Sequence, residues 1–173
     1  MAVNVVANPT TLRWSNFRPV DSSPDLSADE VAQIHPEMSM PPNIQVVNTN
    51  GALRLNSFTI NVAPVPQDTI VLRTATQTPE LLRHEQGHYD LLILVARAMA
   101  RDLGAASASN PAALNQRVQT VQQTHNNNAQ AIDAAYDTQT DHGRNAVQQS
   151  AWSQAITAAL ASPTAANVRG LTL

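Results

Sequence analysis

Short runs of alternating apolar and polar residues, separated by turn residues, fill the first half of the chain and predict strands. Asn50-Gly51 stands between two such runs and is a strong signal for a hairpin turn. We therefore expect a small antiparallel sheet within residues 10–75. Its predicted extended segments are Thr11 to Phe17, Ile44 to Asn48, Leu53 to Asn61 and Thr69 to Thr74.

One helix start is also predicted in this half. Ser27 and Glu30 are three residues apart, which is the spacing of a capping box, where the two residues satisfy each other's backbone N–H groups. We expect a short helix from about Ala28 until Pro36, since proline does not continue a helix.

The second half has the 3.6-residue periodicity of helices, and its boundaries carry clear signals. Thr78 and Asn110 are each followed by proline, which is typical of an N-cap and the first helical residue. Gly104 and Gly143 are natural stops. The three predicted helices run from Thr78 to Gly104, from Asn110 to Thr138, and from Arg144 to Ala161.

These elements predict one α+β domain over residues 1–173. A strand-rich part spans 10–75, a three-helix part spans 78–162 and carries the candidate site, and an irregular tail spans 163–173. With 173 residues, 43% of them hydrophobic, the chain is long enough for a sizeable core.

Charge and composition narrow the function classes. The formal net charge is −3, which does not favour a nucleic-acid partner. No stretch is apolar enough for membrane insertion, and the N-terminus has no signal-peptide pattern. We expect a soluble protein, either cytoplasmic as written or exported with its leader missing, and the oligomeric state is not predicted. There is no cysteine, so only histidines and carboxylates are available as strong metal ligands.

The segment LLRHEQGHYDLLIL, residues 81–94, carries the candidate chemistry. His84 and His88 are four residues apart, so on a helix both imidazoles point the same way and can hold one Zn²⁺ ion. Glu85 lies beside them. Zinc lowers the pKa of a bound water to ~7, and Glu85 is predicted to act as the general base that takes its proton. This is the His-Glu-x-x-His pattern of metallopeptidases.

The helical wheel places both histidines on an apolar face with Leu91 and Val95, so they are expected to point inward. Asp90 lies on the opposite side and is expected to be solvated surface. A buried histidine pair beside a buried carboxylate is costly without an ion.

A catalytic zinc site needs a third protein ligand and one open position. In the metzincin spacing, the third ligand is a histidine six residues after the second one, but here that position is Leu94. The third ligand must therefore come from another element. His125 falls on the buried stripe of the second helix and is expected to be a hydrogen-bonded core residue. The candidates are Glu30, His35, Glu37, His125, Asp133, Asp137, Asp141 and His142.

The His-Glu-Gln-Gly-His core, the block Tyr136-Asp137-x-x-Thr140-x-His142-Gly143, and then Gln149, Trp152 and Ile156 resemble a bacterial family of predicted secreted zinc-dependent proteases, catalogued as a domain of unknown function. Leu12-Arg13-Trp14-Ser15-Asn16-Phe17 resembles the opening signature of that family, with Asn16 where the family usually has aspartate. The resemblance covers residues 12 to about 156.

The resemblance implies that the second block belongs to the active site. His142 is the first choice as third ligand, because a turn after the second helix can reach a metal between helices. Asp137 is the alternative third ligand, by analogy with zinc proteases that use two histidines and an aspartate. It could instead accept a hydrogen bond from the ring N–H of a ligand histidine. Tyr136 could donate to the oxyanion or be a core aromatic. Trp152 and Ile156 are expected to pack in the core.

The sequence thus predicts a zinc metallopeptidase acting on a peptide or protein substrate, with Zn²⁺ as cofactor. Tyr136 or an arginine would stabilise the oxyanion, and an edge strand at Thr69 to Thr74 would hold the peptide. A zinc-stabilised binding module is an alternative, in which the metal is purely structural and Asp137, Asp141 or His125 closes the fourth ligand position. A zinc amidase acting on cell-wall peptides is a second alternative, because its metal chemistry is identical.

Overall fold

A computed structural model describes residues 3–27 and 30–173 of the chain. The three helices are confirmed close to their predicted bounds: α1 spans Pro79–Ala105, α2 spans Pro111–Thr140 and α3 spans Ala146–Ala161. The side chain of Thr78 accepts a hydrogen bond from the Leu81 N–H, and that of Asn110 accepts one from the Ala113 N–H. Both predicted N-caps therefore satisfy backbone donors at the start of their helices.

The strands of the described residues form four small sheets, and the α+β class is confirmed. The first sheet has the order β1-β7-β4, the second β2-β8-β3, the third β5-β6-β9, and the fourth is the pair β10-β11. The strands are β1 Val3–Ala7, β2 Arg18–Val20, β3 Ala32–Gln33, β4 Pro36–Ser39, β5 Val46–Thr49, β6 Ala52–Leu55, β7 Phe58–Pro64, β8 Ile70–Leu72, β9 Ser107–Ala108, β10 Asn167–Val168 and β11 Leu171–Thr172.

Two of the sheets are mixed, whereas the sequence predicted one antiparallel sheet. β1 pairs parallel to β7, with Val3 opposite Phe58, and β2 pairs parallel to β8. β4 and β3 pair antiparallel on the other sides of β7 and β8. β3 and β4 are consecutive in the chain and are the edge strands of two different sheets, so they form one continuous border.

The Asn50-Gly51 hairpin is confirmed between β5 and β6, with positive φ at both residues (53° and 80°), as tight hairpin turns require. The predicted strand from Leu53 to Asn61 is wrong in one respect: it divides into β6 and β7, which belong to different sheets. The break falls at Asn56, whose side chain accepts the Ser57 N–H.

Two further predictions are wrong. Thr11 to Phe17 is not wholly extended, because the Asn16 side chain accepts the Arg13 N–H and closes a short 3-10 helix, Trp14–Asn16. The tail 163–173 is not irregular: β10 and β11 form a hairpin around a positive-φ turn at Arg169 and Gly170.

The helix predicted from Ala28 to Pro36 is not formed in its described part, and Ala28 and Asp29 lie outside the described residues. One of the two capping hydrogen bonds is present, since the Ser27 N–H donates to the Glu30 carboxylate at 2.8 Å, whereas the Glu30 N–H donates to the Ser27 backbone carbonyl. The chain then pairs with β8 through Ala32 and Gln33. Ala32 and Ile34 are buried there, so tertiary burial outweighs the local helix signal.

Helix α1 is buried along both of its long faces. Tyr89, Ile93 and Ala96 pack on the side of the first sheet, in a cluster that includes Ile60 and Val62. Leu94 and Val95 pack in a second cluster with residues of α2 and α3. No residue of α1 from His84 to Arg101 is exposed, so the sheets and the two other helices are arranged about α1. None of the helices in residues 3–27 and 30–173 is long and apolar enough to span a bilayer.

Gly87 permits the close packing of α2 on α1. A Cβ at this position would lie 2.1 Å from the hydroxyl oxygen of Tyr136, which is fully buried. We therefore expect Gly87→Ala to lower the free energy of unfolding by about 1–3 kcal/mol, since overpacking forces the helices apart.

Gly104→Ala is the matched control in the same helix. Its Cβ would meet only Val3 Cγ2 at 3.8 Å, an ordinary contact, so the better helix propensity of alanine should raise stability by about 0.5–1 kcal/mol. Urea unfolding of both variants measures the difference. Equal effects of the same sign would contradict the packing described here.

Candidate metal centre

Three donor atoms from two helices converge beside the core. His84 Nε2 and His88 Nε2 are 3.2 Å apart on α1, and Oδ1 of Asp137 on α2 lies 3.1 Å from the first and 3.0 Å from the second. Within the described part of the chain, this Oδ1 is buried and forms no hydrogen bond, although both nitrogens are near. The three atoms therefore face a common centre rather than one another.

The triangle fits a zinc ion. Ligand distances of about 2.0–2.2 Å in a tetrahedron place the ligand atoms about 3.3–3.6 Å apart, close to the observed separations. Two imidazoles and one carboxylate form a donor set that suits Zn²⁺, and a cation at this point would coordinate a buried carboxylate oxygen that accepts no hydrogen bond in the described residues. His84, His88 and Asp137 are the residues that would hold it.

The remaining ring nitrogens of the histidines have acceptors of their own. His84 Nδ1 lies 3.2 Å from Oε1 of Gln149 on α3, and His88 Nδ1 lies 2.6 Å from Oδ1 of Asp133 on α2. An acceptor at Nδ1 keeps the proton there and leaves the Nε2 lone pair for a metal. The tautomers that zinc requires are therefore favoured by two neighbouring side chains, one from α3 and one from α2.

Asp137, which was the second choice as third ligand, completes the triangle, and His142 does not. His142 Nδ1 lies 3.7 Å from Oδ1 of Asp137 and 3.0 Å from Oε1 of Glu30. The reason is the backbone after α2: Asp141, His142 and Gly143 have φ values of 50°, 51° and 82°. This left-handed turn carries His142 to the Glu30 side of Asp137.

The other candidates for third ligand take different places. Asp133 contacts the Nδ1 of His88, on the side of the ring away from the triangle, and Asp141 forms an ion pair with Arg144. His35 and Glu37 are exposed on the wall of the cleft described below. His125 is a core residue, as expected, but its partner is Asp102, whose Oδ2 lies 2.8 Å from Nε2. Asp90 is half-buried and accepts from Gln86, so it is less solvated than predicted.

Tyr136 is not placed to act on a substrate. Its ring is fully buried and stacks on His84 at a centroid distance of 4.9 Å. Its hydroxyl donates to the His84 carbonyl and accepts from Gln149 Nε2 at 2.7 Å. The hydroxyl donates one hydrogen bond and accepts another within the core, so it is not available to an oxyanion. The prediction of Tyr136 as an oxyanion donor is therefore wrong. The core alternative for Tyr136 is confirmed, as is core packing of Trp152 and Ile156.

Glu85 is buried, with 2% of its surface exposed, and its Oε2 accepts the Ile34 N–H at 2.7 Å. Burial raises the pKa of Glu85 above its ordinary value, against the opposing effects of His88, His84 and the Ile34 N–H. Ile34 was not among the residues predicted for the site. Its contribution is a backbone N–H, which side-chain patterns cannot reveal.

The electrostatics of the triangle favour positive charge. Burial lowers the pKa of His88, but the carboxylates of Asp133 and Asp137 outweigh it and raise that pKa to about 10. Burial raises the pKa of Asp137, but contacts with His84 and His88 outweigh it and hold the pKa well below the usual range. The carboxylates therefore attract a cation to this point, and protons compete with metal for it.

The triangle lies in a cleft of about 920 Å³. One wall is the border formed by β3, β4 and the residues around them, and the other is formed by α1 and α2. The predicted peptide-binding edge at Thr69 to Thr74 is wrong, because β8 is the central strand of its sheet and is paired on both sides. The edge that borders the cleft is β3 together with β4.

Residues 66–143 match the model of a family described as "Bacterial protein of unknown function (DUF922)". The matched segment contains His84, Glu85, His88, Asp137 and His142. It is narrower than the resemblance over residues 12–156, and the description assigns no activity to the family. A search of curated proteins and a search of solved structures found no match.

We expect Asp137→Ala and His84→Ala each to weaken the tightest Zn²⁺ site by at least ~10²-fold, because each removes one of three ligands. Asp133→Asn should weaken it by about 10- to 100-fold through the orientation of His88. His142→Ala should leave it within about threefold, as a ring outside the triangle would. Competition with a coloured chelator at one equivalent of Zn²⁺ measures these constants. A loss in His142→Ala equal to that in Asp137→Ala would contradict the triangle.

Proposed function

We propose that this protein is a zinc-dependent metallopeptidase in which His84, His88 and Asp137 hold the metal and Glu85 is the general base. The observation that carries the proposal is the triangle of convergent donor atoms, in which the buried Asp137 Oδ1 accepts no hydrogen bond from the described residues. The triangle is open to a cleft that also contains a buried carboxylate. A metal with three protein ligands in an open cleft is the arrangement of catalytic rather than structural zinc sites.

Glu85 has the properties that a general base needs at neutral pH. When bound, Zn²⁺ would supply a Lewis acid and lower the pKa of water at the site to ~7. The raised pKa of Glu85 brings its proton affinity nearer to that value, so the carboxylate takes up a proton more readily than an exposed one. The Ile34 N–H fixes one carboxylate oxygen and thereby the direction in which the group faces.

The border of the cleft supports an extended peptide as substrate. β3 and β4 each leave one side free of a strand partner in the described residues, and both line the cleft opposite α1. An extended chain can add to such an edge through main-chain hydrogen bonds. The Ile34 N–H links this border to Glu85, so a peptide along it would pass close to the general base.

The binding-module alternative requires a closed site with a fourth protein ligand. Of the residues predicted for that position, Asp137 is needed in the triangle, Asp141 pairs with Arg144, and His125 pairs with Asp102. This arrangement supports a catalytic over a structural metal. A cell-wall amidase would use the same residues, and substrates distinguish it from a peptidase.

The test is Glu85→Gln, assayed with a fluorescence-quenched peptide library and with muropeptides. We expect hydrolysis to fall by about 10²–10⁴-fold, because the amide cannot take a proton, while zinc content stays at the wild-type level. Glu80→Gln is the matched control: it makes the same change in the exposed first turn of α1 and should keep full activity.

Zinc binding by the wild type without hydrolysis of any probe would contradict the proposal and favour the binding module. Hydrolysis of the muropeptides alone would assign the amidase reaction instead.

A further inference from the structure

A second group of donor atoms lies beside the triangle. Oε1 of Glu30 is 3.0 Å from Nδ1 of His142, which is 3.7 Å from Oδ1 of Asp137. One ligand atom of each of the three residues lies within 4.8 Å of the other two. Asp137 is therefore common to two groups, one with the histidines of α1 and one with Glu30 and His142.

The atoms of this second group do not satisfy one another. His142 Nδ1 is buried and forms no hydrogen bond within the described part of the chain, although Glu30 Oε1 is only 3.0 Å away. In an ordinary ion pair the ring N–H would point at the carboxylate oxygen. Here the ring direction misses both neighbouring oxygens, as it does when several donors are aimed at one centre. Asp137 Oδ1 is a second buried atom at this place that forms no hydrogen bond with the described residues.

Local structure holds both His142 and Glu30 at this position. Glu30 Oε2 accepts the Ser27 N–H at 2.8 Å, and the Glu30 N–H donates to the Ser27 carbonyl, so the carboxylate is anchored and Oε1 faces His142. These are the Ser27 and Glu30 of the predicted capping box, and both hydrogen bonds join the two residues directly. On the other side, the left-handed turn after α2 presents His142.

The charge of the cleft exceeds what one dication balances. Among the described residues, six carboxylates and one arginine line it, which gives these residues a formal charge of −5 with the histidines neutral. One Zn²⁺ leaves −3, so a second cation remains electrostatically favoured. The six are Asp25, Glu30, Glu37, Glu85, Asp133 and Asp137, and the arginine is Arg144.

We propose that Glu30, His142 and Asp137 form a second site for a divalent transition-metal ion, with the Asp137 carboxylate shared between the two metals. One imidazole and two carboxylates suit Zn²⁺, Co²⁺ or Mn²⁺. The second ion binds more weakly than the first, because the two ions repel each other and divide one carboxylate between them. The inference requires the His84–His88–Asp137 triangle but not peptidase activity, so metal binding alone tests it.

The experiment is a titration of the metal-free full chain with Co²⁺. Binding is measured by calorimetry and by the absorption spectrum of the bound ion. Wild type should bind two ions, the second at least about tenfold more weakly than the first. His142→Ala and Glu30→Gln should each bind one, with the first dissociation constant within about threefold of wild type. The conservative Glu30→Gln change tests the site even where His142→Ala disturbs the turn.

His35→Ala is the matched control. His35 lines the same cleft, is exposed and belongs to neither group, and the hydrogen bond it gives to Thr69 Oγ1 comes from its backbone. This variant should bind two ions. Electron paramagnetic resonance of the Mn²⁺-loaded protein tests whether Asp137 bridges the two ions. Two Mn²⁺ ions about 3.5–4 Å apart give an exchange-coupled spectrum, and a single ion does not.

Saturation of the wild type at one ion would overturn the second site and leave the proposed function intact. Two ions in both His142→Ala and Glu30→Gln would overturn the assignment of these ligands. Binding of no ion at all would overturn the metallopeptidase proposal together with this one.

Discussion

The structure depends on the burial of α1 along both faces while it carries His84 and Glu85 in its interior. Both side chains are at most 3% exposed, and polar groups at that depth are costly unless they have partners. The partners come from three other elements: the Ile34 N–H follows β3, Gln149 belongs to α3, and Asp137 belongs to α2. The candidate site is therefore the point at which the elements around α1 meet, so its geometry and the packing of the core are one problem.

His84 shows how closely packing and chemistry are joined. Tyr136 stacks on the His84 ring and donates a hydrogen bond to the His84 carbonyl, and Gln149 contacts both side chains. The absence of a side chain at Gly87 makes room for the Tyr136 hydroxyl. Gly143 also lies against the imidazole, where a Cβ would be 3.0 Å from its Cβ and Cγ. A ring enclosed in this way has little rotational freedom. Preorganised ligands bind metal more tightly, because less ordering accompanies binding.

Features set by neighbouring residues could be predicted from the sequence. The caps at Thr78 and Asn110 and the Asn50-Gly51 turn each depend on a few adjacent residues, and all three are present. Features set by distant pairing could not. β1 lies outside the region predicted to contain strands, and β8 is central because β2 and β3 reach it from separate parts of the chain. The Ser27–Glu30 pair lies between these cases, since its local hydrogen bond forms, but Ala32 and Gln33 pair with β8 instead of continuing a helix.

The choice between Asp137 and His142 depended on where α2 ends. The sequence predicted an end at Thr138, which would leave the next residues free to fold back towards the histidines, whereas α2 continues to Thr140. Asp137 is thus firmly helical and lies four residues after Asp133, so both carboxylates face α1 in the same register as His84 and His88, which are also four apart. Two pairs at this spacing on two packed helices are a signal that the sequence contained. The left-handed turn that follows has the opposite effect on His142, since it directs that ring away from the triangle and towards Glu30.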